Sequence, residues 1–160
     1  MCDHRERRRF TEAPTYLDDE ACAAEVSDLP KFLKPERKRS LEDLLAEVDD
    51  TFSESLLRLI DVKGKTDPEV YKKANVDRKL FSKIRNNPAY KPSKSTALAF
   101  AVALELNLDE TKDFIGRAGY ALSHSSKSDI IVEYFIQQGE FDIIIINETL
   151  FAFEQPLLGC

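Results

Sequence analysis

Residues 66–87 read TDPEVYKKANVDRKLFSKIRNN, and this stretch decides the fold. Asp67 is a natural helix N-cap, and Pro68 suits the first helical position because its missing N–H costs nothing there. Asn75 tolerates the left-handed conformation that ends a helix in a tight turn. Asp77 is a second N-cap. The pattern therefore predicts two short helices joined by a short turn, the helix-turn-helix arrangement.

The second of these helices, residues 78–86, divides into an apolar arc and a polar arc. At about 100° per residue, Leu80, Phe81 and Ile84 fall on one side. The other side carries hydrogen-bond donors and no acidic side chain, which suits base edges in the major groove and DNA phosphates. The alternative is an amphipathic surface helix without a DNA role. The predicted base contacts are Lys79, Ser82, Lys83 and Asn86, and the predicted phosphate contacts are Arg78, Arg85, Lys72, Lys91 and Lys94.

Charge is distributed unevenly along the 160 residues, whose net charge is −6. Residues 63–94 contain ten basic and three acidic side chains, a local net charge of +7. Residues 120–160 contain one basic and six acidic side chains, a local net charge of −5. A basic block within an acidic protein is typical of an electrostatic footprint for nucleic acid. The alternative is a set of solvated surface lysines that keep the protein in solution.

Two further stretches indicate an all-α fold. Residues 97–104, ALAFAVAL, are apolar on every side of a helix, which predicts a buried central helix. Residues 143–146 are four isoleucines, which favour a strand by local propensity. Asp142 is nevertheless a good N-cap, and Ile143, Ile146 and Leu150 follow helical spacing, so we predict a helix there as well.

The same patterns divide the chain into three segments. Residues 1–39 mix prolines with charge clusters and lack sustained apolar periodicity, which predicts a polar arm or linker. Helical spacing starts at Ser40, so residues 40–119 are predicted to form the helix-turn-helix domain. Residues 120–160 are predicted to form a helical C-terminal extension.

The extension, and residues 127–158 in particular, is rich in large apolar side chains. An exposed patch of that size marks an interface, which predicts a homodimer or a partner protein bound through these residues. The alternative is that both predicted helices fold back and complete the core of the monomer.

Residues 52–115, with the motif over residues 66–87 and Pro92-Ser93 leading into the next helix, resemble the Cro/phage-repressor (Xre) helix-turn-helix family. The resemblance implies a five-helix lambda-repressor-like domain. It also implies sequence-specific binding to double-stranded DNA by a dimeric transcriptional regulator.

A second resemblance covers residues 40–159, with Asn75–Arg85 and Gly119–Lys127 carrying it. These stretches are similar to the region that follows a macro domain in some bacterial proteins, which implies a bacterial context and a module that works beside a partner domain. The alternative function is therefore a protein-interaction adaptor that reuses a repressor-like fold. Asp67-Pro68 and the acidic C-terminal segment favour that alternative.

Other functional classes have weaker support. The adjacent Ser123 and His124 lack the third orienting group of a nucleophilic site, so serine capping of a helix is the preferred interpretation. Two histidines and three scattered cysteines predict no metal site, and we expect no cofactor and no enzymatic activity. The longest apolar run has eight residues, too few to cross a membrane, and the cysteine pattern fits a reducing cytoplasm.

Overall fold

The computed structural model describes residues 39–159, and every regular element in that range is an α-helix. The all-α prediction is confirmed, including the helix predicted for the four isoleucines. In chain order the helices are α1 (Leu41–Ala46), α2 (Phe52–Val62), α3 (Asp67–Lys73), α4 (Arg78–Asn86), α5 (Lys94–Ala103), α6 (Leu108–Gly116), α7 (Lys127–Gln138) and α8 (Ile143–Ala152).

The chain divides into two compact units, residues 1–46 and residues 47–160. In the described part of the first unit, α1 starts at a capping box in which the backbone N–H of Asp43 donates to Ser40 Oγ over 3.1 Å. None of the six residues of α1 is buried. Helix α1 belongs to this first unit, and the predicted division after residue 39 stays a prediction. The rest of the predicted arm, residues 1–38, lies outside the described residues.

Helix α5 is the centre of the second unit. All eight residues from Thr96 to Ala103 are buried, and Phe100 is completely enclosed. Helices α3, α6 and α8 contact α5, whose alanines let neighbouring backbones come close. The ring of Phe81 from α4 lies 6.0 Å from the ring of Phe100, so α4 is anchored to the same core. The predicted central helix is confirmed.

Helices α7 and α8 complete this core. Helix α7 contacts α6 and α8, and α8 contacts α5. Residues 120–159 therefore belong to the same compact unit as residues 47–119. The predicted division after residue 119 stays a prediction. One side of this segment folds back onto the core, as the alternative expects. The buried apolar residues on that side are Val132, Ile136, Ile143, Ile146, Leu150 and Leu158. The other side remains exposed, through Ile130, Tyr134, Ile144, Ile145, Phe151 and Phe153.

The start of α3 differs from the prediction by one residue. The N-cap is Thr66, whose backbone N–H donates to the carboxylate of Glu69 over 2.7 Å in a capping box. Asp67 is then the first helical residue and Pro68 the second. Thr66 and Glu69 have the spacing at which each side chain can satisfy a free N–H of the other, which outweighs the capping tendency of Asp67.

Candidate nucleic-acid interface

Helices α3 and α4 are joined by the four residues Ala74–Asp77. Asn75 has a φ of 54°, the left-handed conformation predicted for it. The next residue, Val76, is 4% exposed, and its backbone N–H donates to the carbonyl of Tyr71 over 2.9 Å. The rings of Tyr71 and Phe81 lie 5.6 Å apart. These contacts fix the direction in which α4 leaves the turn.

The outer surface of α4 is polar. Phe81 and Ile84 are buried and Leu80 is half-buried, so the predicted apolar arc is confirmed. The helix contains no acidic residue, and each exposed side chain can donate hydrogen bonds. All four predicted base contacts lie on this surface. Its exposed residues are Arg78, Lys79, Ser82, Lys83, Arg85 and Asn86.

A depression of about 400 Å³ lies at the C-terminal end of this surface. Asn87 and Tyr90 line it together with Ser82, Lys83 and Asn86. The Ser53 hydroxyl of α2 donates to the Asn87 carbonyl over 3.2 Å, and the backbone N–H of Tyr90 donates to the same carbonyl over 3.0 Å. Sequence reasoning missed Asn87 and Tyr90 because the pattern around Pro88 predicts only a loop.

The predicted phosphate contacts fall into two groups. Lys72 and Arg78 are exposed and have no ion pair within the described residues. Lys91 is also exposed, and its Nζ lies 5.4 Å from the ring centroid of Tyr120. Arg85, in contrast, is ion-paired with Asp67 in the first turn of α3. The charge of Arg85 is therefore partly offset before any ligand arrives.

Lys94 has a structural partner that the sequence did not reveal. Its Nζ lies 2.5 Å from Oδ2 of Asp129 in α7, a carboxylate that is only 3% exposed. The same Oδ2 accepts a hydrogen bond from the backbone N–H of Ser123 over 2.9 Å. The ammonium of Lys94 compensates a buried carboxylate, which costs too much to leave unpaired. The assignment of Lys94 to a phosphate stays a prediction, and in the structure its ammonium is paired with α7.

Two other acidic residues near α3, Glu69 and Glu105, are bound locally. Donation from the backbone N–H of Thr66, followed by donation from its hydroxyl, holds the pKa of Glu69 below its ordinary value. A hydrogen bond from Lys73 lowers the pKa of Glu105 in the same way. Glu69 and Glu105 are therefore ionised at neutral pH, and both sit beside the block of basic residues.

Ser123 and His124 do not come together as a nucleophilic pair. His124 Nε2 lies 2.9 Å from Oε2 of Glu133, while Ser123 Oγ accepts a hydrogen bond from the backbone N–H of Ser125. Ser126 caps α7, in agreement with the preferred interpretation. Within residues 39–159, no three His, Cys, Asp or Glu side chains cluster in a way that could hold a metal ion.

Comparison of the chain with protein-family models, with curated proteins and with solved structures gives no match. Among the described helices, none combines the length and the apolar character that crossing a bilayer requires.

Proposed function

We propose that the protein binds double-stranded DNA sequence-specifically through α4 and acts as a transcriptional regulator with a repressor-like helix-turn-helix. The observation that carries the proposal is the exposed surface of α4, on which every side chain can donate hydrogen bonds and none is acidic. Phe81 and Ile84 hold the opposite side in the core, so the surface is presented on a rigid element.

Each residue of this surface has a role in the proposal. Lys79 and Lys83 donate to guanine, and Asn86 pairs with adenine N6 and N7. Ser82 suits several base edges. Arg78, Lys72, Lys91 and, once released from Asp67, Arg85 neutralise phosphates and set the register.

Electrostatics favour one orientation of the protein on DNA. The net charge of +7 over residues 63–94 attracts the phosphates, and the net charge of −5 over residues 120–160 repels them. The duplex therefore approaches α4 with α7 and α8 directed away from it. Affinity should fall steeply between low and moderate salt because bound counterions are released.

Selection from a random-core duplex library, followed by fluorescence anisotropy at two salt concentrations, tests the proposal. Combining Lys79→Ala with Asn86→Ala should cost about 1–3 kcal/mol per base contact and relax the preference at those positions. Arg78→Ala should weaken all sequences equally. Lys127→Ala, which removes an exposed lysine from α7, is the matched control. Absence of binding at low salt, or unchanged selectivity in the double variant, overturns the proposal.

A second candidate function is a protein-interaction module. Two observations favour it: the carboxylate of Asp67 in the first turn of α3, where a DNA phosphate would be repelled, and the apolar side chains exposed on α7 and α8. A homodimer or a partner bound through residues 127–158 fits either function, since dimerisation would double the DNA contacts and impose two-fold half-sites. Sedimentation of the folded chain, with and without DNA, separates these cases.

A further inference from the structure

An open groove of about 990 Å³ lies between the end of α3 and the start of α8. One wall consists of the last turn of α3 and the following turn. The other wall is the first part of α8 with the residues just before it. The lining of the groove combines charged residues with large apolar ones, among them Lys72, Glu140, Ile144 and Phe151.

The α8 wall of the groove is apolar and accessible. Ile144 is 65% exposed and Phe151 is 75% exposed, although both belong to a helix whose other side is buried. Phe141 and Leu157, each half-buried, extend the apolar surface beyond the two ends of the helix. Large apolar side chains arranged at the edge of a concave surface are a feature of binding sites for helical peptides.

The charges around the groove are unbalanced. Lys73 is ion-paired with Glu105, so these two charges offset each other. The other charged groups of the lining are the ammonium of Lys72 and the carboxylates of Glu140, Asp142 and Glu148. The rim therefore carries an excess of negative charge, and it attracts a cationic partner. Phe141 and Phe151 can add cation–π contacts to lysine or arginine.

The end of the chain holds the groove in shape. The side chain of Asn147 makes two hydrogen bonds with the backbone of Leu158, one of 2.8 Å from its N–H and one of 3.2 Å to its carbonyl. Gly159 then lies against the turn after α3, where a Cβ atom would be only 2.2 Å from the carbonyl oxygen of Ala74. The two walls are thus tied together without a ligand, so binding requires little ordering of the groove.

We propose that this groove binds a helical segment of a partner protein. The segment has large apolar side chains on one side and lysine or arginine at its other positions. The apolar side chains pack on Ile144 and Phe151, and the cations pair with the acidic rim. A second copy of this chain fits less well. Its residues 120–160 have a net charge of −5, which the acidic rim of the groove would repel. The proposal does not depend on DNA binding, which is proposed for the surface of α4, although Lys72 takes part in both.

The probe is a fluorescein-labelled helical peptide of about four turns, with leucine at i, i+3, i+4 and i+7 spacing and lysine elsewhere. Anisotropy with the full chain should report saturable binding. Combining Ile144→Ser with Phe151→Ser should weaken binding about tenfold or more, which corresponds to about 1.4 kcal/mol. The matched control combines Ile130→Ser with Tyr134→Ser, which removes two exposed apolar side chains of α7 outside the groove. Equal losses in both double variants overturn the proposal.

Charge is tested separately with Glu140→Gln combined with Glu148→Gln. This variant should bind the peptide more weakly and with a smaller salt dependence, and a peptide with glutamate in place of lysine should not bind the original chain. Equal binding of the acidic peptide overturns the assignment of a cationic partner. If the chain dimerises and Phe151→Ser abolishes the dimer, the occupant of the groove is a second copy of this chain. That result also overturns the assignment of a cationic partner. All variants are checked by circular dichroism, and their DNA affinity is measured so that the two proposals fail independently.

Discussion

Helices α4 and α8 are similar in length, nine and ten residues, yet they present opposite chemistry to their surroundings. Helix α4 buries Phe81 and Ile84, and the rest of its surface is basic and polar. Helix α8 buries Ile143, Ile146 and Leu150, and it still exposes isoleucine and phenylalanine. A narrow apolar arc is enough to anchor either helix in this core. The outer surface of each is therefore free for function, and the two surfaces suit different partners.

Truncating the chain after Ser126 should have the largest effect on the stability of the fold. It removes α7 and α8 and exposes the side of α5 that α8 covers. We expect loss of cooperative unfolding, because a core of this size has little stability in reserve. Urea unfolding followed by circular dichroism measures the effect. A truncated chain that unfolds as cooperatively as the full chain would show that α8 is an appendage.

Leu150→Ala and Phe151→Ala separate the two sides of α8. Leu150 is completely buried, so its truncation should lower the free energy of unfolding by about 2–5 kcal/mol. Phe151 is three-quarters exposed, and its truncation should change stability by about 0.5 kcal/mol or less. Chemical denaturation of both variants gives the two values. Similar losses would mean that the exposed side of α8 is packed in solution.

Asp129→Asn tests the link between α7 and the helix that supports α4. Replacing the carboxylate leaves the ammonium of Lys94 without its partner and should cost about 1–3 kcal/mol, since Lys94 keeps access to solvent. Asp109→Asn, at an exposed position in α6, is the control. DNA affinity of the folded variant should rise slightly, because the freed cation can then reach a phosphate. If the Asp129→Asn variant is as stable as the original chain, Lys94 does not have this structural role.

Glu69→Gln should have the smallest effect, and its signature is a change in how stability depends on pH. The pKa of Glu69 is lowered in the folded chain, so its carboxylate stabilises the fold above the ordinary value of 4.5. This contribution is lost as the pH falls through the lowered pKa. The melting temperature of the original chain should therefore drop more than that of Glu69→Gln on acidification. Glu148→Gln serves as the control, and identical slopes for Glu69→Gln and the original chain would contradict the capping role.

Local patterns in the sequence predicted the helices because their causes are local. The turn at Asn75, the apolar arc of α4 and the buried α5 each depend on residues within a few positions of one another. The pairing of Lys94 with Asp129 joins residues 35 positions apart, so spacing gave no signal for it. The groove was missed for the same reason, since its walls come from α3 and α8. A basic block also cannot reveal which cations are already paired, as Arg85 and Lys94 are.

The contact between Gly159 and Ala74 has a practical consequence for measuring ligand binding at the surface of α4. Anything joined directly after Gly159 begins beside the turn that directs α4, so a bulky fusion there would interfere with the surface of α4. A small fluorophore would instead report on it. Cys160 follows in the sequence, and replacing Cys2 and Cys22 with serine leaves it as the single thiol for maleimide chemistry.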